Sequence, residues 1–283
     1  MSENDDLLLE IVDAVAVLTL NRPEAGNALT ASLLGSLAEK LGELARAGGA
    51  RCVVLKGTGE RFSVGMDLIA MASGTAEENQ RLIGAGGPLR GAIQAIEQFP
   101  YPVVAMIKGH AAGAACELAV ACDLRVGCES SRMGMPPAKL GIVYPLEGLE
   151  RFLRTVGLAT TRKLFYTARY FKGPELFNMG MLDFLCADDE LESYTMELAR
   201  QLAGNAPLSM KGHKRILNLL SGAVTVSGEV ADEINEMVLK ALRSKDAVEG
   251  VVAFKEKRPP EFKSEKRFHT IIRFRDVPHA SGG

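Results

Sequence analysis

Two short segments of this chain set small residues beside groups able to bind or move charge. One is FSVGMD at 62–67; the other is GHAAGAACELAVACD at 109–123, where Glu117 stands among Gly, Ala, Val, Leu and Cys. A carboxylate in a run that otherwise reads as interior sits at the rim of the core, is tied to a buried base, or is there for chemistry. Gly113, Ala114 and Ala115 carry almost no side-chain bulk, so the backbone there can approach another molecule closely. Gly65 permits an unusual turn that exposes the N–H of Met66. If the N–H groups of Met66 and Ala114 converge, they form a two-donor hole for an oxygen gaining negative charge, worth on the order of 3 kcal/mol per donor in a dry site. Glu117 follows Ala114 by three residues, so on a helix it emerges about one turn from that N–H, where a carboxylate suits proton transfer or water activation beside a polarised carbonyl. A plain turn followed by a tightly packed helix has the same spacing, which therefore does not choose between the two.

The elements that must hold these segments are legible in outline. Residues 8–20, LLEIVDAVAVLTL, read as a strand or hairpin closed by the turn NRPEAGN. In the next segment Leu33, Leu34, Leu37, Leu41 and Leu44 recur at helical spacing, and Gly48 and Gly49 end the pattern. RCVVLKG then reads as a buried strand leading into the first loop, which completes one βαβ unit. The cycle repeats with a helix around 86–98, a strand at 102–109, a helix from about 113 and a strand at 123–127. From about residue 150 the chain is helix-rich. Strand-to-helix loops of this kind are where α/β proteins bind ligands, because helix N-termini present unpaired N–H groups.

Composition narrows the function classes. The chain has 283 residues, 47% hydrophobic and 24% charged, with a formal net charge of −2 and no Lys/Arg block, so nothing directs it to a polyanion. No apolar run reaches the length of a membrane span and the acidic N-terminus lacks a basic leader, so a cytoplasmic protein with neither nucleic-acid nor membrane partner is expected. Five cysteines without a CxxC pair and four scattered histidines argue against a disulfide scaffold and a zinc site.

The ordered motifs LTLNRPEAGNALT, VVLKGTGERFSVGMDL, VVAMIKGHAAGAACELAVACDLRV, PPAKLGI and EGVVAFKEKRPPEF make the chain, from about residue 8 to 263, similar to the crotonase, or enoyl-CoA hydratase/isomerase, superfamily. The resemblance implies an α/β fold: a spiral of ββα units over about 1–200 that binds and transforms an acyl-CoA, then a helical region over 201–263 that builds a homotrimer or hexamer. An extra tail, 264–283, runs past the family's usual end. The resemblance gives Met66 and Ala114 the oxyanion-hole role and Glu117 that of the first catalytic Glu. Glu24, Ala25, Val64, Asp67, Leu68 and Gly113 would line the CoA thioester. Neither metal nor redox cofactor is implied, coenzyme A being part of the substrate.

The match departs from the hydratase pattern at one telling place. The second catalytic Glu of typical hydratases falls on Pro137, which cannot exchange a proton, and the replacement candidate is Tyr144, in an arrangement that resembles acyl-CoA decarboxylases of the superfamily. The leading expectation is a hydro-lyase that adds water to an enoyl-CoA through an oxyanion-hole-stabilised enolate. The alternatives are a decarboxylase of malonyl-CoA-type thioesters, an enoyl-CoA isomerase, or an acyl-CoA-binding protein without catalysis. His110, Cys116 and Lys257 are read as structural or solvated groups.

Overall fold

The computed structural model describes residues 6–67, 75, 81–82, 84, 86–221 and 228–261. Strands β1 (Leu7–Val12) and β2 (Val15–Leu20) form the antiparallel hairpin expected for 8–20, turned at Asp13 with φ of 57°. β2 pairs in parallel with β3 (Cys52–Gly57), which pairs with β4 (Val103–Ile107), then β6 (Leu124–Cys128) and β9 (Phe184–Cys186), giving a sheet ordered β1-β2-β3-β4-β6-β9. A parallel sheet must be covered on both faces, and the alternation of side chains delivers that. Ala16, Leu18, Val53, Leu55, Val103 and Ala105 point to one core; Val15, Val17, Cys52, Val54, Val104 and Met106 point to the other.

The first core takes in α1 (Ala31–Ala47), α2 (Pro88–Gln98) and α3 (Ala114–Ala121), with Phe152, Leu164 and Leu176 added from helices later in the chain. Helix α1 begins where the Thr30 hydroxyl oxygen accepts the N–H of Leu33 at 3.1 Å, and the five leucines anticipated from spacing are all buried on its inner face. The second core is closed by α6 (Leu191–Gly204), whose Leu191, Ala199 and Ala203 pack on the opposite face of the sheet.

A second, three-stranded sheet went unseen in the sequence. β5 (His110–Ala112) pairs with β7 (Arg132–Gly134), and β7 with β8 (Tyr170–Lys172), with three residues in each. Such short strands show no alternation, so only the tertiary context identifies them. Yet β5 turns the chain sideways after β4 and delivers Gly113 and Ala114 to the start of α3. Two further helical stretches follow, α4 (Leu146–Thr167), which is broken at Gly157 with φ of 73°, and α7 (Pro207–Ser221), with the short α5 (Gly173–Asn178) between them, then α8 (Glu229–Leu242) and α9 (Lys245–Glu256). The C-terminal region is thus helical as expected; the 264–283 tail lies outside the described residues.

Helix α7 is tied down by one buried lysine. The Lys214 Nζ donates to the carbonyls of Ile96 at 3.1 Å and Tyr101 at 3.0 Å and to Asp123 Oδ2 at 2.7 Å, joining α7 to the end of α2 and to the start of β6. Replacing Lys214 by Met strands two carbonyls and a half-buried carboxylate, so the variant should lose roughly 3 kcal/mol in urea unfolding. An unchanged midpoint and slope would refute the anchoring role.

Candidate active site

The two loops singled out in the sequence are stitched together by backbone hydrogen bonds. Ser63 N–H donates to the His110 carbonyl at 2.9 Å and Ala112 N–H returns to the Ser63 carbonyl at 3.1 Å, so the first loop runs alongside β5. The first loop is itself braced by the NRPEAGN turn. Asn27 is buried and its Nδ2 donates to the carbonyls of Thr58 and Arg61, while its Oδ1 accepts the N–H of Arg22. Ser63 Oγ donates to the Asn27 carbonyl at 2.7 Å and accepts the N–H of Gly65 at 3.1 Å.

Gly65 adopts φ of 91°, and a Cβ there would lie 2.4 Å from the Ala112 carbonyl oxygen and 3.6 Å from the Ala114 nitrogen. No other residue allows this approach. Met66 and Ala114 consequently border the same cavity, of about 380 Å³, and neither N–H donates to an acceptor among the described residues. Ala114 is the first residue of α3, where an N–H has no partner within its own helix. Two unpaired donors on adjoining backbone turns are what an oxygen acquiring charge requires.

The cavity wall is mostly apolar. Val64, Ala112, Pro136, Pro137, Leu140 and Ile142 contribute to it, and α9 closes the outer side with Gly250 and Phe254. Gly250 packs against Leu140 so tightly that a Cβ would lie 2.6 Å from that residue's carbonyl carbon. Among the described lining residues none is Asp or Glu; the ionisable ones are His110, Lys139, Tyr144, Tyr170 and Arg258. Burial and the nearby Arg132 and Arg61 lower the pKa of His110, whose ring meets Tyr170 edge-on at 5.6 Å, in keeping with a structural histidine.

Glu117 is not part of that wall. It is buried on α3, and its Oε2 accepts the hydroxyl of Tyr144 at 2.5 Å, while its Oε1 pairs with Arg151 Nη1 at 2.5 Å. Arg151, 2% exposed, also donates through Nε to Glu97 Oε1 at 2.9 Å. Burial pushes the Glu117 carboxyl above the ordinary carboxylate range, against the pull of the Arg151 guanidinium, the Tyr144 hydroxyl and Arg90. Burial and the adjacent Glu117 push the Tyr144 phenol well above its ordinary value, so it stays protonated. Tyr144 therefore stands between Glu117 and the cavity. Cys116, beside Glu117 in sequence, is a buried thiol whose ionisation is also suppressed by burial.

Of the other residues expected at the site, Val64 and Gly113 line the cavity and Asp67 follows Met66, its N–H donating to the Leu29 carbonyl at 3.2 Å. Glu24 and Ala25 lie on an exposed 3-10 turn, Pro23–Ala25, outside the cavity wall; the adjoining Gly26 abuts Val64. Leu68 falls outside the described residues. Pro137 occupies a short 3-10 turn, Pro137–Leu140, and presents an apolar ring to the cavity. Two residues were missed by sequence reasoning, Gly148 and Arg151. Their signal was partial: Gly148 and Arg151 fall at i and i+3 in the first turns of α4, on one helical face, while Tyr144 precedes the helix. Among the described residues no cluster of His, Cys, Asp or Glu could hold a metal ion, and no described helix is long and apolar enough to cross a membrane.

Gly148 gives the face its second constraint. A Cβ there would lie 2.4 Å from Tyr144 Cε1 and 3.2 Å from Glu117 Oε1. Gly148→Ala should therefore displace the phenol and cost about 1–3 kcal/mol in thermal unfolding. Gly35→Ala, in α1 with nothing within 4 Å, should instead gain about 0.5–1 kcal/mol. Equal effects of the two substitutions would show that the Tyr144 ring is not held as described.

Known proteins share this fold and much of the sequence. A probable enoyl-CoA hydratase of Bacillus subtilis is 34% identical over 263 residues, covering 91% of this chain and 98% of the relative. The crystal structure of a methylmalonyl-CoA decarboxylase complexed with 2S-carboxypropyl CoA superposes with a TM-score of 0.85 at 28% identity, covering 94% of this chain and all of the other. An enoyl-CoA hydratase from Bacillus anthracis superposes with a TM-score of 0.72 at 30% identity, covering 92% of this chain and all of the other. The family model of enoyl-CoA hydratase/isomerase matches residues 10–265, and the chain belongs to that family, the crotonase superfamily, with an acyl-CoA thioester as the class of compound it handles.

Proposed function

We propose that the protein decarboxylates a malonyl-CoA-type thioester, a 2-carboxyacyl-CoA. The observation that carries this reading is that Glu117 is withdrawn from the cavity behind Tyr144 and paired with Arg151, while Pro137 fills the wall where a second carboxylate would stand. Direct activation of a water by a carboxylate needs that carboxylate at the cavity wall, so hydration here would have to run through Tyr144. Decarboxylation needs only a sink for electrons and a dry place for the departing group. The thioester oxygen accepts the N–H groups of Met66 and Ala114. The bond between Cα and the substrate carboxylate breaks, its electron pair moves into the thioester to give the enolate, and CO2 leaves past the apolar wall of Pro136, Pro137 and Ile142. Cα then takes a proton, which we assign to Tyr144 because its phenol lines the cavity and is hydrogen-bonded to Glu117 behind it. The likeness to a methylmalonyl-CoA decarboxylase supports this reading.

Hydration of an enoyl-CoA is the second reading, favoured by the relatives named enoyl-CoA hydratases and by the retention of Glu117 within one turn of Ala114. Assembly into a trimer belongs to either reading, and Leu208, Leu217 and Leu220, exposed on α7, supply apolar surface for it.

Incubating the purified protein with methylmalonyl-, ethylmalonyl- and several enoyl-CoAs and weighing the products by mass spectrometry separates the two. Loss of CO2 from a malonyl-type member is expected, with Tyr144→Phe slower by about 100-fold in kcat. Gain of water by an enoyl member with the malonyl types untouched would establish the second reading instead.

A further inference from the structure

Behind Tyr144 lies a charged cluster that the proposed reaction does not yet use. Arg151 reaches Glu117 through Nη1 and Glu97 through Nε, and the same Nη1 lies 3.3 Å from the Glu147 carbonyl. Its Nη2 is buried without a partner among the described residues, as is Nη1 of Arg90 on α2. On this far side of Glu117 the described residues leave a small void of about 10 Å³, bordered by Arg90, Glu147 and Gly148. The titratable and charged groups facing Glu117 are therefore Tyr144 ahead of α4, Arg151 on α4, Arg90 and Glu97 on α2, and the neighbouring thiol of Cys116 on α3. Two guanidinium groups with spare donors surround a single fully enclosed carboxylate.

An arginine is suited to bias a proton without carrying it, since a guanidinium does not deprotonate in a protein. A phenol, by contrast, has one proton and can point it only one way. With Glu117 ionised, the Tyr144 proton lies on the bond to Oε2, and the phenolic oxygen offers lone pairs to the cavity. With Glu117 protonated, the carboxyl donates to the phenolic oxygen and the Tyr144 proton is free to point into the cavity. We propose that Arg151 is a positioning residue that opposes the protonation of Glu117 and so sets where a single proton on Glu117 reverses Tyr144 from acceptor to donor at the reacting carbon. The inference rests on Tyr144 acting at the cavity, as in the reaction proposed above.

The steps balance in both directions. When the enolate is protonated, the Tyr144 proton forms the new C–H bond as the Glu117 proton moves to the phenolic oxygen, leaving a carboxylate. When a water is activated, its proton moves to the phenolic oxygen as the Tyr144 proton moves to the Glu117 carboxylate, the water oxygen bonds to the β-carbon of an enoyl group, and the C=C electron pair moves into the thioester as the enolate, whose Cα then takes the proton back through Tyr144. Tyr144 begins and ends as a neutral phenol either way, which suits a buried group whose ionisation is strongly opposed.

The test follows the protonation of Glu117 itself. In the full-length protein, infrared titration of the buried carboxyl stretch, assigned by its disappearance in Glu117→Gln, gives the midpoint without any turnover. Arg151→Met should move that midpoint up by about one pH unit or more, because the opposing charge is lost, and Arg151→Lys should restore most of the shift. Glu97→Gln, a milder change if Arg151→Met does not fold, should move it down, because a like charge is removed and Arg151 is left to Glu117 alone. Midpoints unchanged in the folded variants would overturn the proposal. The pH–rate profile reports separately on the reaction. Decarboxylation through the donor form declines as pH rises through the midpoint, whereas hydration through the acceptor form declines as pH falls through it. Either limb should move upward with Arg151→Met, so a limb of the unexpected sign sinks the decarboxylase reading while leaving the role of Arg151 standing, and a limb that stays in place sinks Arg151.

Discussion

A carboxylate buried on a helix of Ala, Cys, Leu and Val has to be compensated from outside that helix. Glu117 has no partner of its own on α3, and an ionised carboxylate left alone in an apolar interior is too costly to persist. Compensation arrives from α4, through Arg151 and the Tyr144 hydroxyl just ahead of it. The requirement fixes much else. It sets the approach of α4 to α3, demands Gly148 at the point of closest contact, and brings in α2 through Glu97 to satisfy the second side of the guanidinium.

The cavity side of the same helix is governed by a different necessity. Met66 and Ala114 can face one oxygen only if two loops from separate ββα turns meet at backbone distance, and the glycine at 65 with its left-handed φ makes that meeting feasible. Asn27 and Ser63 then hold the first loop rigid through five side-chain hydrogen bonds of 2.7–3.1 Å to backbone groups. Rigidity matters here because donors stabilise a developing charge in proportion to how little they must move when it forms. The front of α3 is thus built from backbone and small residues, the back from long charged side chains.

How much of this the sequence discloses depends on how local the information is. Helix α1, strands β2 to β4 and the start of α3 follow from periodicity and turn residues within windows of a few residues, and they appear where expected. The two loops were legible because glycine and alanine at fixed offsets describe backbone geometry directly. The three-residue strands of the second sheet were not, since nothing within Arg132–Gly134 distinguishes it from a loop. Nor were the partners of Glu117 and Asp123, which lie 34 and 91 residues away at Arg151 and Lys214. Charge pairing over such separations is a property of the closed fold. Glu24 and Ala25, taken from the family resemblance, lie on an exposed turn beside the cavity rather than within its wall.

The outer wall of the cavity belongs to α9, about 185 and 130 residues after the two loops it covers. During synthesis the chain emerges from its N-terminus, so the donors of Met66 and Ala114 and the charged cluster behind Tyr144 are all outside the ribosome well before Gly250 and Phe254 exist. For that interval the apolar surface of Val64, Pro137 and Ile142 forms an open groove. A cavity walled by α9, the last of the described helices, cannot enclose an acyl group until that helix has been made, which links the onset of ligand protection to α9 rather than to the folding of the sheet.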